Sequence, residues 1–126
     1  MLDISIAIIV NNSKVLLVKR NMPENKLQWQ FPAGKVKNGE ETNITAERET
    51  FEETGIKCKA IELLGVRTHP DTNVKSYYWL CDYISGVGFV KDRIELSQIE
   101  WCDKNYFFKL VTSDIFKPVE NFINDL

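Results

Sequence analysis

The most informative stretch of the chain covers residues 34–56 and reads GKVKNGEETNITAERETFEETGI. Its second half predicts an α-helix over residues 42–54. Thr42 is expected to act as the N-cap residue, because a threonine hydroxyl can bind the free N–H groups of a first helical turn. Gly55 is a good C-terminal stop, because glycine adopts the left-handed conformation with which helices commonly end. Residues that favour helix ends therefore bound this segment on both sides.

One side of the predicted helix is acidic, and the other suits a protein core. At about 100° per residue, four charged side chains fall within roughly 140° of arc, in the order Arg48, Glu52, Glu49 and Glu53. The opposite half carries mostly uncharged side chains, with Glu47 intruding: Ala46, Thr50, Thr54, Phe51 and Ile44. The helix can therefore pack one side on a β-sheet while the other presents carboxylates and a guanidinium.

The carboxylates of this helix repel one another unless a cation lies between them. Glu49 is three residues from Glu52 and four from Glu53, and each like-charge pair weakens a helix by about 0.2–0.5 kcal/mol. Arg48 can offset part of this repulsion, but it cannot neutralise all the acids. Mg²⁺ can, because it binds carboxylate oxygens and shares its remaining positions with water and phosphate groups. Considered alone, the helix supports a solvated acidic face and a metal site equally.

The spacing around the helix resembles the Nudix box: Gly, five residues, Glu, seven residues, then Arg-Glu-apolar-x-Glu-Glu-x-Gly-apolar. These positions are filled here by Gly34, Glu40 and residues 48–56, and every charged and glycine position matches. Thr50 stands where the family usually has an apolar residue, on the core side of the helix, so the departure concerns packing rather than chemistry. A chance match is roughly a one-in-ten-million event at ordinary residue frequencies. The chain is similar to the MutT-like members of the Nudix hydrolase family.

The resemblance implies both a fold and a reaction. The fold is α/β: an α/β/α sandwich with a mixed sheet, beside which the box forms a loop-helix-loop. The reaction is Mg²⁺-dependent hydrolysis of a pyrophosphate bond in a nucleoside triphosphate or related nucleoside diphosphate derivative, by attack of water on phosphorus; Mn²⁺ can substitute. The alternatives are an ADP-ribose or nucleotide-sugar pyrophosphatase, and a catalytically idle nucleotide-binding module. Retention of all the box glutamates favours an enzyme.

The resemblance also implies roles for individual residues. Glu52 and Glu53 are expected to bind the metal, and Glu49 either binds metal or acts as the general base. The carbonyl of Ala33 is a further implied ligand, and Glu95 stands where some relatives supply an extra carboxylate, although an ordinary surface glutamate explains it equally well. The other implied catalytic or structural residues are Arg48, which would orient the glutamates, and the loop residues Gly34, Gly39, Glu40 and Gly55.

Residues outside the box are candidates for binding the nucleotide, namely Arg20, Phe31, His69 and Tyr77. Arg20 can pair with a phosphate group, and an exposed charge at a strand end is the equal alternative. Phe31 can stack on a base, as can Trp29, for which core packing is favoured. His69 lies in a predicted loop, where a role near the substrate and an incidental position both stay open. Residues 112–114 offer no obvious asparagine of the kind with which MutT-like enzymes read oxidised guanine, so specificity for that base is not predicted.

The rest of the chain predicts strands alternating with helices. Strands are expected over residues 4–10, 14–20, 59–66, 75–84 and 94–101, with a turn at 11–13 that makes the first two a hairpin. Residues 21–28 predict a polar loop. Asp103 is expected to cap a short helix ending at residue 110, and a last helix is expected over 118–126 with proline in its first turn. The 126 residues fit a single Nudix hydrolase domain, residues 1–126.

Composition excludes several classes of function. A formal net charge of -2 argues against a nucleic acid polymer as partner, because a phosphate backbone calls for a basic face. The longest apolar runs, residues 6–10 and 15–18, are too short to span a membrane. Cys58, Cys81 and Cys102 form no CxxC pair and fit reduced, buried thiols of a cytoplasmic protein. We therefore expect a monomer or homodimer whose partner is a small nucleotide.

Overall fold

The computed structural model describes residues 2–21 and 29–126. The predicted polar loop therefore lies outside the described residues, except for Asn21. In the described part, the secondary structure elements are β1 Asp3–Asn11, β2 Lys14–Arg20, β3 Trp29–Gln30, β4 Ala33–Lys35, α1 Thr42–Thr54, β5 Lys57–Thr68, β6 Lys75–Ser85, β7 Leu96–Cys102, α2 Lys104–Leu110 and α3 Lys117–Asn124.

The described strands form one mixed sheet, as predicted. Its main path runs β3-β2-β1-β6-β5, while β4 pairs with β1 and β7 pairs with β2. The β1 and β6 strands are parallel, and the other neighbours are antiparallel. The β1–β2 hairpin is confirmed, and its turn residues Asn12 and Ser13 have φ values of 52° and 62°. Two successive positive φ values are what a two-residue hairpin turn of the favoured twist requires.

Helices cover both faces of the sheet. Successive side chains of a strand point to opposite faces, so β1 contributes to two hydrophobic cores. Ala7 and Ile9 pack with Ala46 of α1 on one face. Ile8 packs with Phe107 of α2 and with α3 on the other face. The α/β/α sandwich is therefore confirmed, and the box helix lies on the face opposite to the two C-terminal helices.

The box helix α1 has the predicted length but a different N-cap. Glu41 is the N-cap residue, and its side chain makes no capping hydrogen bond. The prediction of Thr42 as N-cap is wrong, because the Thr42 hydroxyl instead accepts a hydrogen bond of 3.0 Å from the indole N–H of Trp79. This contact ties the first turn of α1 to β6. At the other end Gly55 adopts φ 74° and donates its N–H to the carbonyl of Phe51, as predicted.

The departure from the box pattern at Thr50 is accommodated inside the core. Thr50 is fully buried, and its hydroxyl donates a 2.8 Å hydrogen bond to the carbonyl of Ala46. Thr54 is also fully buried and donates to the carbonyl of Thr50 at 2.7 Å. Because both hydroxyls have partners, burying them leaves no unsatisfied polar group.

The C-terminal elements agree with the sequence in kind and differ in their bounds. Asp103 caps α2 as predicted, its carboxylate accepting a 2.8 Å hydrogen bond from the N–H of Tyr106. The last helix has proline in its first turn, but it covers Lys117–Asn124 rather than residues 118–126. The β5 strand is longer than predicted and runs from Lys57 to Thr68, with three register shifts in its pairing with β6. Within the described residues, no helix has the length and apolar character that crossing a membrane requires.

Candidate active site

Gly34 places the loop before α1 directly against the acidic side of that helix. The β4 strand holds this loop by pairing with β1, where Ser5 is opposite Gly34. A Cβ atom added at Gly34 would overlap the carboxyl group of Glu49. Glycine at this position therefore leaves room for the Glu49 carboxyl group, and it is not needed for an unusual backbone angle.

Arg48 joins three of the box glutamates. Its guanidinium donates two hydrogen bonds to Glu40, at 2.8 and 2.9 Å. The remaining nitrogen, Nη1, donates to Glu49 at 2.8 Å and to Glu52 at 3.2 and 3.3 Å. Such charge-assisted, bidentate contacts fix the orientation of both groups. The structure therefore brings Arg48 into contact with the side chains that the resemblance expects it to orient.

Glu40 connects the loop to the helix. One carboxylate oxygen accepts a 2.6 Å hydrogen bond from the hydroxyl of Thr45 and a 3.2 Å bond from the N–H of Lys37. The hydrogen bonds from the Arg48 guanidinium are the largest effect on this carboxyl group, and the pKa of Glu40 falls to about 2. Gly39, which precedes it, has φ 80° and so supplies the sharp turn of the loop. These contacts place Glu40 as an anchor between loop and helix.

Arg20 and Glu53 form a second, more deeply buried ion pair. The Arg20 guanidinium contacts the two carboxylate oxygens of Glu53 at 2.7 and 3.3 Å and the carbonyl of Ala33 at 3.3 Å. The N–H of Ala33 also donates to Glu53 at 3.3 Å. The side chains of Arg20 and Glu53 are only 15% and 5% exposed. Of the two alternatives for Arg20, the exposed strand-end charge is therefore wrong, and pairing with a phosphate stays a prediction.

Burial is the main influence on two of the candidate acids. It raises the pKa of Glu53, and the hydrogen bonds from Arg20 oppose this rise. It also raises the pKa of Glu49, where Arg48 provides the opposing effect. Because desolvation penalises the charged form, both carboxylates would be stabilised by a further cation placed among them.

The oxygen atoms around Arg20 match the donor chemistry of a hard divalent ion. The carboxylate of Glu53 and the carbonyl of Ala33 both accept hydrogen bonds from the Arg20 guanidinium, so they already share one cation. In the conformation described for residues 2–21 and 29–126, no three acidic, histidine or cysteine side chains converge as a metal-binding group. The guanidinium of Arg48 lies between Glu49 and Glu52, and that of Arg20 lies on Glu53. Side-chain rearrangement must therefore accompany any metal binding.

A cavity of about 240 Å³ adjoins Ala33 on the face of the sheet that α2 and α3 cover. Phe31 lines it, as does Trp29. The Phe31 ring also stacks on Phe107, with the ring centroids 5.6 Å apart. Phe31 thus belongs both to the core and to the cavity wall, so its predicted stacking role is compatible with its packing role.

The other predicted substrate residues lie away from this cavity. Tyr77 shares the opposite face of the sheet with Trp79 by strand alternation, and the Lys75 ammonium lies 5.4 Å from its ring centroid. His69 is exposed in the β5–β6 loop, where its Nδ1 accepts hydrogen bonds from the N–H groups of Asp71 and Thr72. His69 therefore shapes its own turn, which supports the incidental alternative.

Glu95 lies at the surface, in the loop before β7. Its backbone carbonyl accepts a 2.8 Å hydrogen bond from the N–H of Asn21. None of the contacts described for Glu95 involves the glutamates of α1. Its metal-binding role stays a prediction.

Sequence reasoning missed several residues of the cavity wall, namely Arg67, Tyr78, Asp114 and Phe116. The Arg67 guanidinium donates to the Tyr78 hydroxyl at 3.0 Å and lies 5.4 Å from the Phe116 ring centroid. Strand alternation offered one usable signal, since it places Tyr77 and Tyr78 on opposite faces. Arg67 and Phe116 carried no such signal, because their proximity depends on the fold.

Solved structures share this architecture. The chain superposes on the NUDIX hydrolase from Nitrosomonas europaea with a TM-score of 0.85 at 22% identity, covering 98% of this chain and 70% of the other. It superposes on the MutT NUDIX hydrolase from Burkholderia pseudomallei with a TM-score of 0.77 at 23% identity, covering 98% and 96%. At these identities the likeness establishes the fold.

Curated relatives are similar in sequence. The chain is 28% identical over 123 residues to the 8-oxo-dGTP diphosphatase of Buchnera aphidicola subsp. Schizaphis graminum, covering 96% of this chain and 95% of the relative. It is 35% identical over 107 residues to the ADP-ribose pyrophosphatase of Methanocaldococcus jannaschii, covering 82% and 62%. Several other relatives are longer, and the chain spans less than half of their length. The NUDIX domain family matches residues 1–122, and the chain belongs to this family.

Proposed function

We propose that the chain catalyses Mg²⁺-dependent hydrolysis of a pyrophosphate bond in a nucleoside triphosphate or related nucleoside diphosphate derivative. The observation that carries this proposal is that Ala33 contacts both a candidate metal-binding carboxylate and the cavity. Its carbonyl lies beside the buried carboxylate of Glu53, and the same residue lines the cavity next to Phe31. A phosphate chain at the acidic side of α1 therefore has an apolar recess within reach for the base.

Four groups would hold the metal: the carboxylates of Glu49, Glu52 and Glu53 and the carbonyl of Ala33, with Glu95 as a further candidate. They fit Mg²⁺, or Mn²⁺ in its place, because all are hard oxygen donors and because Arg20 already lies among them as a cation. A divalent ion bound there would neutralise phosphate charge and lower the pKa of a coordinated water.

The protein's own side chains would position the reaction. Arg48 is anchored on Glu40 by two hydrogen bonds, so it would stay beside Glu49 and Glu52 and orient them as they turn toward the ion. Glu49 would then bind metal or accept the proton of the attacking water. Arg20 would be released from Glu53 when the carboxylate binds the ion, and its guanidinium could then pair with a substrate phosphate.

The cavity wall suits a nucleobase. Phe31, Trp29 and Phe116 supply flat, apolar surfaces on which a base can stack. Asp114 adds a carboxylate that can accept hydrogen bonds from base N–H groups. These groups favour a nucleotide over a simple polyphosphate as the substrate.

A second candidate function is hydrolysis of ADP-ribose or a nucleotide sugar. It is favoured by the similarity to an ADP-ribose pyrophosphatase, at 35% identity. The idle nucleotide-binding module is disfavoured, because Glu40, Glu49, Glu52 and Glu53 are all present. Cys58, Cys81 and Cys102 are buried and form no disulfide bond, which suits action in the reducing cytoplasm.

A substrate screen tests the proposal. The purified chain is incubated with nucleoside triphosphates, ADP-ribose and nucleotide sugars, and released pyrophosphate, phosphate and nucleoside monophosphate are quantified. We expect turnover that requires Mg²⁺, stops on addition of EDTA and returns when Mg²⁺ is restored in excess. A folded protein that turned over none of these compounds, or that acted equally well without metal, would contradict the proposal.

A further inference from the structure

A basic groove lies on the other side of the candidate site from the cavity. It has a volume of about 610 Å³ and is lined by three basic, two acidic and two apolar side chains: Arg48, Lys91, Arg93, Glu52, Asp92, Phe51 and Ile94. Arg48 and Glu52 also belong to the candidate site. The groove therefore adjoins the acidic side of α1 at Glu52. The cavity lies at Ala33 of β4, whose N–H bonds to Glu53 of α1.

The segment that supplies the basic side chains is held by the end of α1. The N–H of Phe89 donates to the carbonyl of Thr54 at 3.1 Å, and the N–H of Lys91 donates to that of Glu53 at 3.0 Å. The last carbonyls of a helix have no partner within the helix, so these bonds attach the segment firmly. The Lys91 ammonium lies 3.7 Å from the ring centroid of Phe51, a cation–π contact that directs it across the groove.

Lys91 and Arg93 contribute positive charge to the groove without forming ion pairs in the described protein. Among residues 2–21 and 29–126, no carboxylate forms an ion pair with the side chain of Lys91 or Arg93. Asp92 lies between them, but its carboxylate accepts hydrogen bonds from the N–H groups of Ile94 and Glu95. With three basic and two acidic side chains, the lining of the groove carries one excess positive charge, which suits an anionic ligand.

We propose that the basic groove binds the free terminal phosphates of a nucleoside triphosphate. This inference rests on the proposed function and narrows it to one substrate class. A nucleoside triphosphate can place its base in the cavity at Ala33 and its phosphate chain along Glu53, Glu49 and Glu52. Its terminal phosphates then reach Lys91 and Arg93. ADP-ribose presents a neutral ribose there, which gains nothing from these cations.

Binding of inorganic tripolyphosphate tests the groove without requiring turnover. Calorimetry in the presence of Mg²⁺ compares the unchanged protein, the double variant Lys91→Ala/Arg93→Ala, and the control Lys14→Ala. The alanine at position 91 keeps the N–H that bonds to α1, and Lys14 is exposed at the opposite end of β2 from Arg20. We expect at least tenfold weaker binding in the double variant and none of this loss in the control. Equal affinities, equal losses in both variants, or no binding to the unchanged protein would overturn the proposal.

Turnover measurements test the choice of substrate class. We expect the double variant to lower the ratio of kcat/KM for a nucleoside triphosphate to kcat/KM for ADP-ribose at least tenfold, mainly through a higher KM for the triphosphate. An unchanged ratio would overturn the inference while leaving the proposed function intact. If the unchanged protein hydrolysed neither compound, the proposed function would fail, and the calorimetric comparison would still decide whether the groove binds phosphates.

Discussion

Two arginines hold the candidate site together, and they differ in where their partners come from. Arg48 contacts Glu40, Glu49 and Glu52, all within eight residues of it. Arg20 contacts Glu53, which lies 33 residues away in the chain. Their surroundings also differ, because the Glu52 side chain is 50% exposed and that of Glu53 only 5%.

The two arginines therefore have different main effects: Arg48 orients its partners, whereas Arg20 compensates the charge of a buried carboxylate. In the Arg48 cluster the Glu52 side chain is half exposed, so the Arg48–Glu52 contact contributes little stability and mainly fixes side-chain direction. The Arg20–Glu53 pair is withdrawn from water, so removal of one partner leaves the other poorly solvated. We therefore expect changes at the buried pair to have larger effects than changes at the local cluster.

The largest effect is expected from Glu53→Gln. This substitution removes a proposed metal ligand with little change in volume, and we expect kcat/KM to fall by at least about 100-fold. Glu52→Gln should lower kcat/KM less, because the Glu52 side chain is half exposed and water can take its place at the metal. Mg²⁺-dependent turnover and thermal unfolding are measured for both variants and for Glu62→Gln, an exposed control on β5. Activity in Glu53→Gln equal to that of the control would contradict the assignment of Glu53.

The next effect is expected from Arg20→Met, which leaves Glu53 buried without its cation. Removing one partner of a buried ion pair lowers the free energy of unfolding by about 3–5 kcal/mol. Because Arg20 is partly exposed, we expect a loss of about 2 kcal/mol here. Chemical denaturation measures this loss against Lys19→Met, a control one position earlier on β2. We also expect Mg²⁺ to stabilise Arg20→Met more than the unchanged protein, because the ion would supply the missing charge. Full stability of Arg20→Met without metal would refute the role given to this pair.

The local cluster is the part of the site that the sequence predicts well. Helical spacing alone places Arg48 next to Glu49 and Glu52, and the Nudix resemblance adds Glu40. The end of α1 at Gly55 follows from the conformational freedom of glycine. All these features depend on residues near one another in the chain, where one period of 3.6 residues determines which side chains meet.

The buried pair and the cavity could not be predicted in the same way. Arg20 reaches Glu53 only because β2 and β4 both pair with β1 in the folded sheet, and no periodicity connects residues 33 positions apart. The same limit explains the error at Thr42, whose hydroxyl bonds to Trp79, 37 residues away, instead of capping the helix. At Tyr77 and Tyr78, alternation separates the two side chains but does not tell which face holds the cavity.

An intermediate effect is expected from Gly34→Ala, which moves Glu49 without changing its charge. The added Cβ would overlap the Glu49 carboxyl group, so that side chain must shift. The backbone at Gly34 is not in the left-handed region within the described residues, so alanine introduces no backbone strain. We expect kcat/KM to fall by about tenfold with a small loss of stability. Lys35→Ala is the control, because it changes an exposed neighbour of Gly34 on β4; Gly88→Ala is unsuitable, because its Cβ would meet Ile99. A similar loss of kcat/KM in Lys35→Ala would contradict this interpretation.

The smallest effect is expected from Glu40→Gln, and it should depend on pH. The pKa of Glu40 falls from 4.5 to about 2 in the folded protein, mainly through hydrogen bonds from Arg48. A carboxyl group with a lowered pKa stabilises the fold above its unfolded pKa, and this contribution disappears as the pH falls from about 4.5 to about 2. At pH 7 we therefore expect Glu40→Gln to be about 1 kcal/mol less stable than the unchanged protein.

The stability difference caused by Glu40→Gln should shrink as the solution is acidified through that range. Thermal unfolding at a series of pH values measures it, with Glu41→Gln as control because the Glu41 side chain makes no capping hydrogen bond. A gap between Glu40→Gln and the unchanged protein that stayed constant from pH 7 to pH 2 would show that the Glu40 charge does not stabilise the loop. In that case the Arg48 cluster would stabilise the fold through side-chain packing and not through charge. Charge would then contribute to stability at the buried Arg20–Glu53 pair and not at the Arg48–Glu40 contact.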